Sequence, residues 1–263
     1  MTPTISVLMG IYNCSKTLQE ALDSLYSQTF QDFEIILCDD GSTDDTYSVA
    51  LKNTKEKKNI VLLKNEKNLG LNATLNNCLS AAKGKYIARM DGDDISLPNR
   101  FEKELEFLEN HPEYSIVSTP MMRFDEEGVF KVDNTIAHEP QIKDFPKGSP
   151  FCHAPCMVRA EAYQSVNGYS VSDRLLRVED YHLWIKMYAK GYKGYMMGEP
   201  LYKMRDDRNA VMRRNFKGRM NEAYVRYLAC KTFKLPLTSY IYVIRPIIVG
   251  LLPRGLYTIL HKK

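Results

Sequence analysis

The densest chemistry in this 263-residue chain is the stretch Arg89-Met90-Asp91-Gly92-Asp93-Asp94. Three carboxylates crowd into four positions, after the apolar run Tyr86-Ile87-Ala88 and before Ile95-Ser96-Leu97-Pro98. Like charges that close repel, so the cluster is costly unless a positive group neutralises it. A hard divalent cation does this, and Mg²⁺ or Mn²⁺ held by one or two carboxylates shares its remaining positions with substrate phosphates. The plainer alternative is an acidic surface turn bent at Gly92.

Other candidates stand at similar places along the chain. In Gly10-Ile11-Tyr12-Asn13, the Tyr12 ring could stack on a nucleobase and the Asn13 amide could bond a ribose or base edge; otherwise Tyr12 is a packed loop aromatic. In Asp39-Asp40-Gly41-Ser42-Thr43-Asp44-Asp45, Asp40 suits an imino N–H of uracil, while Ser42 with Asp45 reads as a capping box. Asn65-Glu66-Lys67-Asn68-Leu69-Gly70 suits a tight turn, with Lys67 either near a phosphate or solvated. Glu179-Asp180 opens a helix, where carboxylates are common for electrostatic reasons alone. Cys152-His153-Ala154-Pro155-Cys156 lacks a second ligand pair at zinc spacing.

These residues need elements to hold them. Ile5–Met9, Phe33–Cys38, Ile60–Leu63 and Tyr86–Met90 read as strands, residues 18–25 and 71–82 as helices with another helix carrying Val49 and Ala50 between them, and Gly84 as a helix-ending glycine. Strand–helix alternation predicts a parallel sheet covered on both faces. Ligands then bind beyond the carboxyl ends of the strands, which puts Tyr12-Asn13, Asp39-Asp40 and Asp91-Asp93 on one rim. Phe101, Leu105 and Leu108 mark a further helix, residues 123–150 read as polar loop, and Glu179–Lys190 reads as an amphipathic helix closed by Gly191.

Taken together, order and spacing resemble glycosyltransferase family 2, with its nucleotide-diphospho-sugar transferase (GT-A) fold. The subgroup is that of bacterial capsule, exopolysaccharide and O-antigen transferases of the amylovoran-biosynthesis type. The resemblance runs through Ile5–Asn13, Leu25–Glu34, Asp39–Asp44, Asn68–Leu71, Asn76, Arg89–Ile95 and Glu179–Trp184, and extends to Arg245-Pro246 and Leu252-Pro253. It implies an α/β fold with a mostly parallel central sheet flanked by helices. It implies an inverting transferase with a nucleoside-diphosphate (UDP) sugar as donor. Tyr12 would stack on uracil, Asp40 would read the base N3, Asp91 would contact the ribose, and Asp93 with Asp91 would hold Mn²⁺ or Mg²⁺ on the diphosphate. Asp180 would be the general base; Asn13, Asn68, Arg89, Glu179, Trp184 and Arg205 complete the substrate-binding set. Two positions depart from the pattern: Gly10 stands where many relatives have Thr, and Leu75 where many have Arg.

Composition sets bounds. An apolar share of 44% and a charged share of 26% are ordinary for a globular protein. The start Met1-Thr2-Pro3-Thr4 has no signal-peptide character, and six scattered cysteines read as reduced thiols in a cytosolic protein. The net charge of +4 conceals an asymmetry: residues 203–263 hold 14 Lys/Arg against 3 Asp/Glu, and no acidic residue follows Glu222. This basic tail also carries Tyr240–Ile244 and Ile247–Leu252, split by Arg245-Pro246 into pieces too short to span a bilayer. It suits the membrane headgroup region or packing on its own body, and no nucleic-acid motif accompanies it. The expected organisation is a nucleotide-sugar half (1–98), an acceptor and catalytic half (99–204) and a helical membrane-surface segment (205–263). The resemblance implies a polyprenyl-diphosphate-linked glycan acceptor at the cytoplasmic membrane face. A sugar-phosphate nucleotidyltransferase would need a glycine cluster after the first strand, and a Rossmann dehydrogenase a G-x-G-x-x-G; neither is present. A non-catalytic scaffold is disfavoured by Asp91, Asp93 and Asp180 occurring together.

Overall fold

A computed structural model of the chain describes residues 2–133, 135–206 and 216–251. Strands β1 (Ile5–Ile11), β2 (Phe33–Asp39), β3 (Ile60–Lys64) and β4 (Tyr86–Arg89) run parallel in the order β4-β1-β2-β3. Their connections pass through α1 (Leu18–Tyr26), α2 (Thr46–Glu56) and α3 (Leu71–Ala81). Alternate side chains explain the continuous apolar runs. Val7, Met9, Ile35 and Leu37 pack with Leu18, Leu22 and Leu25 of α1. Leu8, Ile36 and Cys38 pack with Leu75 and Cys78 of α3 on the other face. Both faces are covered, so neither register position needs to be polar.

The sheet is then extended. After β5 (Ile95–Ser96) and α4 (Arg100–Asn110) come β6 (Ile116–Ser118), β7 (Met121–Asp125), β8 (Gly128–Val132) and β9 (Met157–Arg159). The chain continues through α5 (Ala160–Ser165), α6 (Glu179–Ala189), β10 (Gly194–Met196) and β11 (Tyr202–Arg205). β9 pairs antiparallel with both β4 and β6, completing a seven-stranded order β10-β6-β9-β4-β1-β2-β3. A smaller sheet has the order β5-β11-β7-β8. Its β11 returns from late in the chain to lie beside β5, just after the acidic cluster.

Several local expectations are corrected. No capping box forms at Ser42 and Asp45: Ser42 Oγ accepts the Asn13 N–H at 3.0 Å, and Asp44 Oδ1 accepts the Thr46 N–H at 3.0 Å. Gly84 does not end a helix, since α3 closes at extended Ala82. It is required by proximity, because a Cβ there would stand 2.5 Å from the Ser6 backbone nitrogen. Residues 123–150 are not all loop, for β7 and β8 form a hairpin there. In the Cys152–Cys156 segment, His153 Nε2 lies 2.7 Å from the Tyr169 hydroxyl.

The basic tail begins as part of the body. Helix α7 (Phe216–Thr232) buries Ala223, Val225, Ala229 and Cys230 against α6 and the turn Ile142–Lys147. Asn221 Nδ2 donates to the Asp173 and Leu176 carbonyls at 3.2 and 3.1 Å. Helix α8 (Ile241–Leu251) lies on α7 and leaves Ile241, Ile244, Ile248 and Leu251 exposed, in line with exposed Leu237. Leu252 and Pro253 lie outside the described residues. Among the described residues, no helix is long and apolar enough to cross a membrane.

Candidate active site

Strands β1, β2 and β3 end level with one another, and β4 ends opposite Leu8. Ile11 pairs with Asp39 and Asp39 with Lys64, while Met90 N–H donates to the Leu8 carbonyl at 3.1 Å. The loops beyond these ends therefore share a rim, as the alternation implied. A cleft of ≈ 630 Å³ opens there, lined by Tyr12, Asn13, Asp44, Asp91, Asp93 and Arg205 among others. Tyr12 is 47% exposed, with its ring available on the rim. Asn13 adopts φ +49° and its Oδ1 accepts the Thr43 N–H at 2.9 Å, so the amide oxygen joins the first two loops.

The three aspartates differ. Asp91 is bonded through both oxygens by the Arg89 guanidinium, which is buried at the end of β4. Burial opposes the charge on Arg89, but the Asp91 carboxylate overrides it and holds the guanidinium firmly protonated. Asp94 is buried; its Oδ2 accepts from the Tyr202 hydroxyl at 2.8 Å and its Oδ1 from the Arg205 N–H at 2.8 Å. The Asp93 carboxylate, alone of the three, has no hydrogen bond from another residue among the described residues. Loss of water on its protein side, then the Asp91 charge, raise its pKa above the ordinary carboxylate range. Carboxylate oxygens from all three lie within 4.8 Å of one another.

This donor set fits a hard divalent cation. It is all oxygen, its excess negative charge is only partly offset by Arg89, and Asp93 keeps its acceptor capacity. Arg205 flanks it: Nε donates to the Asp93 carbonyl at 3.0 Å, and the guanidinium stacks over Phe124 at 4.5 Å. Tyr202 was not among the residues singled out from sequence, yet its hydroxyl also accepts the Asp91 N–H at 3.2 Å.

Asp40 sits buried behind the rim, and Asn68 lies exposed on the 65–70 loop. Asp40 is 4% exposed. Its oxygens accept N–H groups from Leu69 (2.8 Å), Gly70 (2.9 Å) and the Asn65 side chain (2.8 Å). It thus pins the 65–70 loop, and a base contact would use its remaining acceptor capacity. Asn68 Oδ1 accepts the Gly70 N–H at 3.1 Å within that loop.

Asp180, in the first turn of α6, does not line this cleft. It lines a second cavity of ≈ 380 Å³, 3.5 Å from Ser149 Oγ. Arg89 links the two regions electrostatically, because its charge acts on Asp93, Glu179 and Asp180 alike. Burial raises the Asp180 pKa, and backbone N–H groups and Arg89 only partly oppose it. Glu179 is buried, and that burial with the neighbouring Asp180 charge pushes it up to about 7. Trp184, expected among the substrate contacts, is corrected: it is 0% exposed and packs edge-on to Phe151 at 5.6 Å. One turn along α6 from Asp180 and on nearly the same face, it lies deeper, inside the packed core cluster.

Comparison with known proteins accords with this geometry. The family described as "Glycosyl transferase family 2" matches residues 6–166. EpsE of Bacillus subtilis (strain 168), whose name assigns it provisionally as a glycosyltransferase, is 44% identical over 99% of this chain and 94% of its own length. An Escherichia coli UDP-Gal:alpha-D-GlcNAc-diphosphoundecaprenol beta-1,3-galactosyltransferase is 30% identical over 100% of this chain and 96% of its own. Among solved structures, Staphylococcus aureus TarS (residues 1–349) in complex with UDP-GlcNAc superimposes with a TM-score of 0.72 at 19% identity, covering 99% of this chain and 76% of that one. A parallel sheet with its acidic cluster at the strand ends, a matching family description and full-length relatives converge: the chain belongs to glycosyltransferase family 2, an inverting family, and has the GT-A fold.

Proposed function

We propose that the chain transfers a sugar from a UDP-sugar, with inversion, to a hydroxyl of a lipid-linked glycan during bacterial surface polysaccharide synthesis. The observation that carries this reading is the all-oxygen cluster of Asp91, Asp93 and Asp94 at the strand ends, where it meets the cleft that Tyr12 and Arg205 line. Tyr12 stacks on the uracil ring and Asp91, held by Arg89, meets the ribose. Asp93, with Asp91, holds Mn²⁺ or Mg²⁺. When bound, the cation compensates the negative charge that gathers on the departing diphosphate.

The remaining work falls to the chain's own side chains. The acceptor oxygen attacks the anomeric carbon from the side opposite the diphosphate. The new C–O bond forms as the bond to the diphosphate oxygen breaks. The hydroxyl proton passes to the Asp180 carboxylate, whose raised pKa makes it a stronger acceptor than an ordinary aspartate. Arg205 adds a fixed positive charge beside Asp93. A lipid-linked acceptor is supported by the name of the E. coli relative, which specifies a diphosphoundecaprenol-borne sugar.

The test is a panel of nucleotide sugars with Mn²⁺ or Mg²⁺, scored by release of free nucleoside diphosphate. Release from a UDP-sugar supports the reading; no release from any donor, with no UDP binding, overturns it. Asp93→Asn is expected to cost about 10²–10³ in turnover, the range for removing one charge-stabilising group. It should also flatten the dependence of activity on added cation. A full cation response in that variant would move the metal elsewhere.

The reading places the chain at the inner membrane face. Supporting it, the exposed stripe Leu237, Ile241, Ile244, Ile248 and Leu251 is flanked by exposed Lys231, Lys234 and Arg245. Apolar burial plus attraction to anionic lipid is how surface helices bind. Ile244→Asp with Ile248→Asp should abolish co-sedimentation with anionic vesicles while leaving nucleotide release from soluble substrates in place. Unchanged co-sedimentation would remove this surface from consideration.

A further inference from the structure

The cavity that Asp180 lines has no assignment from the donor chemistry. Its wall is built by three parts of the chain far apart in sequence: the Gly148-Ser149 turn, the start of α6, and α7. A volume of ≈ 380 Å³ falls in the range of small-ligand sites, about 300–1,000 Å³.

Three observations give it a ligand class. First, Tyr181 is 3% exposed and lines the cavity, yet its buried hydroxyl has no hydrogen-bond partner. Buried polar groups are almost always paired, so a hydroxyl left open at a cavity wall is poised for something that enters. Second, Arg177 adopts φ +66°, a left-handed conformation uncommon for a non-glycine residue. Its guanidinium has no side-chain partner among the described residues. Third, the wall is cationic on balance. Arg177, Arg219 and Arg226 face two carboxylates, Asp180 and Glu222, and Glu222 is bonded by both Arg219 (3.3 Å) and Arg226 (2.8 Å). The wall also reaches the apolar stripe, since Arg226 Nη1 donates to the Tyr242 carbonyl of α8 at 3.3 Å.

We infer that this cavity holds the phosphate-bearing head of an amphiphilic acceptor, with Arg177 and the Tyr181 hydroxyl as its polar contacts and the α8 stripe beside its apolar chain. The inference rests on Asp180 being the proton acceptor, for the acceptor hydroxyl must reach that carboxylate. The ligand class is a prenyl diphosphate, in which charge suits the arginines and hydrocarbon suits the stripe.

Calorimetric titration of the full chain tests this, with UDP and Mg²⁺ at saturation so that the donor cleft is filled. Three probes separate the possible sources of affinity: geranylgeranyl diphosphate, inorganic pyrophosphate and geranylgeraniol. Geranylgeranyl diphosphate should bind most tightly, pyrophosphate more weakly, and geranylgeraniol least. Arg177→Gln and Tyr181→Phe should each weaken the diphosphate by roughly tenfold or more, as expected for a hydrogen bond to a charged group. UDP affinity should stay the same in both variants. Equal diphosphate affinity in the variants, or geranylgeraniol binding as well as its diphosphate, would overturn the assignment. If the unmodified chain does not bind UDP, the donor reading fails instead, and the same titrations without nucleotide still judge the cavity.

Discussion

Asp180→Asn is expected to lower kcat by about 10²–10⁴, the span attributed to a positioned general base. The amide is nearly isosteric and keeps a weak contact to Ser149, so folding should be spared. UDP affinity should stay within a few fold, because Asp180 lies outside the Tyr12–Asp93 cleft. Steady-state kinetics beside nucleotide titration checks both halves. Wild-type turnover in the variant would end the base assignment. The pH profile offers a second check. Burial raises the Asp180 pKa, and only the deprotonated carboxylate accepts a proton. Activity must therefore fall as pH drops through that raised value, and the acid limb of kcat/KM should lie above about 3.9, the ordinary aspartate value.

Arg100→Met is expected to destabilise the fold by about 3–5 kcal/mol, the usual effect of breaking a buried ion pair by removing one partner. Arg100 and Glu104 are both fully buried and joined at 3.1 Å. Arg100 also donates to the Arg89 and Cys156 carbonyls at 3.1 and 3.2 Å, tying α4 to the strand that carries the acidic cluster. Burial already raises Glu104 to about 7 even against the Arg100 charge. Without that charge its folded-state pKa rises further above the unfolded value, about 4.3. The variant's folded state then binds the extra proton, so its stability should drop as pH rises between those two values. Denaturant midpoints at acid and alkaline pH read this out; a loss independent of pH would mean that Glu104 is not the stranded group. Arg100→Met with Glu104→Leu should recover part of the loss, and the freed carbonyls account for the remainder.

The central sheet was legible because its physics is local. Runs such as Phe33–Asp39 and helical spacing such as Leu18, Ala21, Leu22 and Leu25 declare themselves within ten residues. The rim followed, because strands ending in register must put Tyr12 and Asp91 together. What was not legible depends on pairing across the chain. Nothing near Asp94 announces that Tyr202 will bond it, and nothing near Arg100 announces a buried partner inside an otherwise ordinary amphipathic helix. Trp184 shows the same limit: the family resemblance implied a substrate contact, and only the packing of Phe151 and His153 around it shows a core residue. The basic tail was read by charge, yet α7 is held to the body by apolar packing and by Asn221.

The return of β11 to the acidic cluster bears on biosynthesis. Asp94 receives its two donors from residues more than a hundred positions later, so a ribosome that has released only the first half of the polypeptide presents an incompletely anchored carboxylate trio. Contacts of such sequence separation close late, after the local strand–helix units have formed. Until Tyr202 and Arg205 emerge and dock, Asp94 lacks the two hydrogen bonds that fix it beside Asp91 and Asp93.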